Sequence, residues 1–174
     1  MIIEAKIITQ PISGKYIERI YDNESVWDSP NWTYIKFTNN DYSDWCGVFR
    51  GSPIDVVISE FRKMIVVLTS DYLYHLDLED GKLKEIENHL QYINLTLAPN
   101  GDFIISDFNY IERFTTSIKY KEQIISPFLM DCIKFENWES SKLEFTCFMI
   151  ENNSRILTMI YDNELNLIKY KYEI

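Results

Sequence analysis

Between Trp27 and Phe49 the chain carries Trp27, Trp32, Tyr34, Phe37, Tyr42, Trp45 and Phe49, interleaved with Asp28, Asp41 and Asp44. Aromatic rings beside carboxylates can do two kinds of chemistry. They can anchor a protein partner, with a ring filling a pocket and the acids pairing with bases. They can also hold a sugar or a cationic ligand, which stacks on a ring while carboxylates accept its hydrogen bonds. Alternation assigns 32–38 and 45–50 to strands whose alternate rings point into a core. Trp27, Tyr42 and the acids then fall in loops, where binding residues concentrate. Glu136-Asn-Trp-Glu139 repeats this loop chemistry around Trp138. The expected partner-binding set is Trp27, Asp28, Asp41, Tyr42, Asp44, Trp45 and Trp138, with Trp27 and Trp45 as anchors. The competing reading is that these rings only pack the first sheet.

Covalent and metal chemistry have few candidates. No GxSxG, HExxH, P-loop or GxGxxG motif occurs, and 5 glycines leave little for a phosphate-cradling loop. The 2 histidines, His75 and His89, are too few for most histidine metal sites. His75 lies mid-strand between Tyr74 and Leu76 and His89 in a loop, which suits packed or solvated imidazoles. Asp77-Leu-Glu-Asp80-Gly81 lacks the ligand spacing of a calcium loop and reads as a hairpin turn. Among 27 acids no spacing singles out a pair for glycoside hydrolysis. Cys46, Cys132 and Cys147 are odd in number, form no CxxC, and sit beside strand residues, as buried reduced thiols do. The expectation is a non-enzyme with no catalytic residue, metal or cofactor.

Charge narrows the partners. The net charge of −10, spread over both halves, repels nucleic acid and anionic lipid and steers a basic protein in. Solubility is the plainer use of such a charge. The start Met1-Ile-Ile-Glu-Ala-Lys lacks the basic-then-apolar order of a signal peptide, and the longest apolar run is only 64–68. The expectation is a cytoplasmic protein with a basic protein partner and with neither nucleic acid nor membrane among its contacts. Exposed strand edges could pair two chains, but no residue argues for that.

The elements that must position these residues are strands. Period-two alternation recurs along the chain, and Tyr, Phe and Ile are abundant. Strands are expected at 2–9, 16–21, 32–38, 45–50, 54–59, 64–69, 72–77 and 82–87. They continue at 92–98, 102–106, 110–115, 118–120, 131–136, 143–150, 156–161 and 167–172. Asp80-Gly81 and Asn100-Gly101 supply tight turns. The window 54–63 also carries Ile54, Val57, Ile58 and Phe61 at helical spacing, although its β-branched residues favour a strand.

Internal echoes point to repetition. Ser70-Asp71 returns as Ser106-Asp107, Ile35-Lys-Phe37 as Ile133-Lys-Phe135, and Ile20-Tyr-Asp-Asn-Glu24 as Ile160-Tyr-Asp-Asn-Glu164. Tyr72-Leu-Tyr-His-Leu-Asp77 followed by Gly81-Lys-Leu83, and Ala98-Pro-Asn-Gly-Asp-Phe-Ile-Ile-Ser-Asp107, resemble phrases of β-propeller blades. The resemblance covers residues 64–114 and implies a scaffold rather than an activity. At about 40 residues per blade the chain has room for four. The expected fold is a single all-β domain over 1–174, an antiparallel hairpin meander with blade-like, small propeller-like repeats. A β-sandwich or barrel is the alternative. In general type the chain is similar to the small acidic immunity proteins that bacteria use to neutralise toxins. That likeness implies a binding protein acting by occlusion. The alternative is a small-molecule or glycan-binding module using the loops around Trp27–Trp45.

Overall fold

The computed structural model describes residues 1–22, 30–88, 91–150 and 152–171. Every regular element among them is a strand, as the alternating pattern requires. The chain forms two compact units, Met1–Leu90 with Thr116–Lys119, and Gln91–Thr115 with Tyr120–Ile174.

The first unit holds two four-stranded sheets. One contains β1 (Ile2–Ile8), β2 (Ile17–Tyr21), β3 (Trp32–Asn39) and β4 (Asp44–Arg50), in the order β1-β3-β4-β2. Here β2 runs parallel to β4, with Ile17 opposite Trp45 and Tyr21 opposite Phe49, a departure from a pure antiparallel meander. A parallel neighbour needs a long crossover, and the intervening β3 is part of it. The second sheet is an up-and-down meander of β5 (Pro53–Ser59), β6 (Met64–Thr69), β7 (Tyr72–Asp77) and β8 (Leu83–Asn88).

Every residue of β6 is buried, so its continuous apolar run reflects cover on both faces. The 54–63 window is β5 followed by a turn. Lys63 there takes φ 54, and Ser59 Oγ accepts the Arg62 N–H at 3.2 Å. The β-branched residues Ile54, Val56, Val57 and Ile58 outweigh the helical spacing.

Aromatic packing joins the two sheets of this unit. Tyr21 stacks on Phe49 at 4.6 Å, Phe37 on Trp45 at 4.4 Å, and Phe49 meets the edge of Tyr74 at 5.0 Å. Pairs of this geometry contribute about 0.5–1.5 kcal/mol each beyond their buried area. Gly47 makes room for them, since a Cβ there would lie 2.7 Å from the Phe37 ring.

The second unit holds two further meanders. One is β9 (Asn94–Leu97), β10 (Phe103–Ser106), β11 (Ile111–Phe114) and β12 (Glu122–Gln123). The other is β13 (Met130–Glu139), β14 (Lys142–Met149), β15 (Asn152–Asp162) and β16 (Leu167–Tyr170). Ile104, Ile111, Ile133, Phe145, Met159 and Tyr161 form the heart of their shared core. Three of the four sheets therefore have the strand arrangement of a blade, and no sheet closes into a barrel. The Ser-Asp echo is structural. Both pairs fall where the second strand of a sheet gives way to the third, Ser70-Asp71 just after β6 and Ser106-Asp107 at the end of β10. Asn23 and Glu24, the end of another echo, lie outside the described residues.

Two local expectations are corrected. Residues 118–120 are not a strand, because the Ile118 N–H donates to the Glu85 carboxylate at 3.0 Å instead of joining a ladder, and β12 lies just beyond. Cys132 is exposed rather than buried. It sits at a bulge with φ 52, its N–H bonded to Asp131 Oδ1 at 2.9 Å, so the regular in–out alternation breaks at that point.

Candidate functional site: an aromatic hairpin tip

The β3–β4 reversal is built by its own polar side chains. Asp41 Oδ1 accepts the Ser43 N–H at 3.0 Å and the Ser43 hydroxyl at 2.6 Å. Asn39 Nδ2 donates to Ser43 Oγ at 2.9 Å, and the Tyr42 N–H donates to the Asn39 carbonyl at 2.9 Å. The Asn40 N–H closes the tip onto the Met1 carbonyl at 3.0 Å. Short acceptors that bond to nearby backbone favour turns, which is why this polar run reverses the chain. The hydrogen bonds from the Ser43 hydroxyl and N–H hold the Asp41 carboxyl below its usual range, so it is ionised at neutral pH.

Tyr42 occupies the left-handed slot of this turn with φ 63, and its side chain is 82 % exposed. Other non-glycine residues in that conformation are Lys63, Cys132, Ser140 and Asn166. Tyr42 is the one aromatic among these described residues. A bulky residue there costs about 1–2 kcal/mol relative to ordinary backbone. The fold therefore holds a large ring outward in a conformation that the ring itself disfavours.

The expected site residues separate. Asp41, Tyr42 and Asp44 share the tip. Asp44 begins β4, accepts from Thr38 Oγ1 at 2.7 Å and lies 3.6 Å from Lys36 Nζ, so its charge is partly balanced. Trp45 is only 4 % exposed. One ring face lies on Phe37 and the Arg19 guanidinium sits 4.2 Å from the ring centroid, so Trp45 is a core residue and not a surface anchor. With its faces occupied, the aromatic-loop ligand site loses its stacking platform. Trp138 lies in β13, not in a loop. It is half-buried against Tyr161 and its Nε1 donates to Thr96 Oγ1 at 3.0 Å. Trp27 and Asp28 lie outside the described residues.

His75, Glu85 and Ser117 form one hydrogen-bonded group. His75 Nδ1 lies 3.1 Å from Glu85 Oε2, and the Ser117 hydroxyl donates to Glu85 Oε1 at 2.7 Å. Serine and histidine thus both address the carboxylate. A hydrolytic triad would place the histidine between them. What the arrangement does is clamp residues 117–118 onto β8. Burial pushes the Glu85 carboxyl up, but hydrogen bonds from Ser117, His75 and the Ile118 N–H outweigh it and hold the group below its ordinary value. His89 lies outside the described residues. Burial raises the Cys46 thiol, and raises that of Cys147 to about 11, so both are protonated at neutral pH. In the acidic 77–81 turn, Asp77 pairs with Lys84 at 3.1 Å and Asp80 with Lys82 at 2.6 Å. Among the described residues no group of three or more ligating side chains could hold a metal ion, and no helix is long and apolar enough to cross a membrane.

Sequence reasoning placed Tyr42 within a set of seven without separating it from the rest. The signal that isolates it is an aromatic inside the otherwise polar reversal Asn39-Asn-Asp-Tyr-Ser43. The Glu85 clamp had no local signal, because the Ser117 and Ile118 donors that it holds lie 32 and 33 positions away in sequence. No protein-family model matches the chain, and no curated protein matches its sequence.

Proposed function

We propose that this chain is a non-catalytic binding module that occludes a basic protein partner, in the manner of bacterial immunity proteins, with Tyr42 as the anchoring side chain. The observation that carries this reading is Tyr42 itself, 82 % exposed on a backbone with φ 63 and held by the Asp41–Ser43 bonds. Tyr42 is the aromatic side chain among the described non-glycine residues with positive φ, and strain kept at a large exposed ring motivates a functional reading. An aromatic carried on a backbone already held in place spares the loop-ordering cost of binding and suits a hot spot. Ionised Asp41 beside it and the overall charge of −10 favour a cationic patch on the partner. The free cysteines Cys46, Cys132 and Cys147 suit a reduced, cytoplasmic setting. The blade-like sheets support the likeness to β-propeller repeats as the scaffold.

The test is affinity capture of partners from the source organism, followed by titration of whatever is recovered. Wild-type protein retains a basic partner at low salt, and Tyr42→Ala loses it. Retention weakens between about 0.01 M and about 1 M salt, as the screening length falls from about 30 Å to about 3 Å. A partner held equally by Tyr42→Ala, or with no dependence on salt, would overturn the proposal.

A further inference from the structure

In the second unit a cleft of about 280 Å³ opens between the β10–β11 turn and the segment running from β12 into β13. Its floor includes Ile124 and Met130, both buried. Phe128 forms one wall and is stacked on Tyr170 at 5.7 Å. Tyr110, Ile125 and Leu129 stand at the mouth, the last two 84 % and 58 % exposed.

The walls are fixed in place. Asp107 Oδ1 accepts the N–H groups of Asn109 and Tyr110 at 2.7 and 2.6 Å. Asn109 Nδ2 donates to the Met130 carbonyl at 2.8 Å, tying the two sides together. The Ile124 N–H reaches the Ile111 carbonyl at 2.8 Å, and the Ile150 N–H reaches the Leu129 carbonyl at 3.0 Å. A concavity whose edges are hydrogen-bonded on both sides is preformed rather than a passing gap between loops, and preformed apolar concavities are where small ligands bind.

Size and charge define the occupant. An apolar cavity of roughly 150 Å³ takes a benzene ring, and drug-sized ligands need roughly 300–1,000 Å³. At about 280 Å³ this cleft suits one ring with a small substituent. None of its lining residues is charged, in a protein of net charge −10. An ion desolvated there would find no counter-charge among the lining residues. The Gln123 amide and the Ser126 hydroxyl supply a polar edge among the apolar walls. We propose that this cleft binds a neutral, single-ring small molecule carrying a hydroxyl or amide edge, at a site separate from the Tyr42 hairpin tip.

Three probes that share a ring and differ in charge test this: phenol, benzoate and benzylamine, titrated into the full chain and followed by amide NMR. Phenol is expected to shift the amides of Tyr110, Ile125 and Leu129 saturably, with benzoate and benzylamine binding at least about tenfold more weakly. The double variant Ile125→Asp/Leu129→Asp changes exposed side chains, so its remaining spectrum reports that it folds, and it should weaken phenol at least about tenfold. Phe61→Ala, equally exposed but far from the lining in sequence, should leave phenol binding unchanged. Absence of saturable shifts with phenol, equal binding of all three probes, or undiminished binding by the double variant would overturn the proposal. None of these outcomes depends on a protein partner, so this site and the Tyr42 reading stand or fall separately.

Discussion

Two acidic hairpin turns of the first unit, Asn39–Asp44 and Asp77–Lys82, have similar composition and opposite outcomes. In the first, Asp41 and Ser43 bond to one another, and the tyrosine between them is left facing solvent. In the second, the turn backbone is drawn onto the core. Arg19 Nη1 donates to the Asp80 carbonyl at 2.5 Å and the Tyr21 hydroxyl to the Gly81 carbonyl at 2.6 Å. Gly81, at φ +72, lies so close to Trp45 that a Cβ would come within 2.8 Å of its ring. One turn is closed by its own side chains and is free to present a ring. The other is closed locally as well, Asp77 Oδ1 accepting the Glu79 N–H at 2.8 Å and Asp80 Oδ1 the Lys82 N–H at 2.9 Å, but its carbonyls are also gripped by the distant Arg19 and Tyr21, and it serves packing. Acid content does not distinguish them; the origin of the donors does.

The largest effect is expected where the second turn meets the core. Trp45→Ala should destabilise the chain by about 3–5 kcal/mol, as loss of a buried tryptophan does, read from the midpoint of a denaturant titration. A near-neutral result would mean that the ring is dispensable to the core and would reopen it as a surface anchor. Gly81→Ala comes next, at about 2–4 kcal/mol. That figure combines overpacking against Trp45 with the cost of a left-handed backbone.

The first turn should behave the other way. Tyr42→Gly relieves the strained backbone and is expected to stabilise by about 0.5–1 kcal/mol, the relief being partly offset by the greater freedom of glycine in the unfolded chain. The same change should cost at least about 2 kcal/mol of partner binding by calorimetry. A gain in stability coupled to a loss of binding would mark Tyr42 as a residue kept for function, whereas a loss of both would make it structural.

The smallest effect concerns the Glu85 clamp. Its folded-state carboxyl lies below the ordinary value, so its contribution is complete above the unfolded-state value and is lost as pH falls through the depressed folded one. Glu85→Gln should therefore cost about 1 kcal/mol near neutrality. The difference from wild type should vanish in acid, followed by thermal unfolding across that range. A difference that persists unchanged in acid would remove the carboxylate charge from the account.

Much of the fold is legible in the sequence. Met64–Thr69 and Tyr72–Asp77 are strands with the expected bounds, and the Asp-Gly and Asn-Gly pairs sit at turns. Such features are local: period, β-branching and a tolerance of positive φ are properties of a few adjacent residues. The misses are non-local. Residues 118–120 look like a strand until Glu85 claims the Ile118 N–H. Trp45 looks like an anchor until Phe37 and Arg19 cover its faces. Trp138 looks like a loop residue until β13 is seen to run to Glu139.

By itself, then, the amino-acid sequence determined that this is an all-β chain with a strongly acidic surface and a polar reversal at residues 39–44. Side-chain period and charge are written residue by residue. Tertiary structure alone decided which aromatic is presented and which is buried. Tyr42 and Trp45 are three positions apart in one rich stretch. Their fates are set by Ser43 on one side, and on the other by Arg19 and Gly81, which long-range pairing brings to the Trp45 ring.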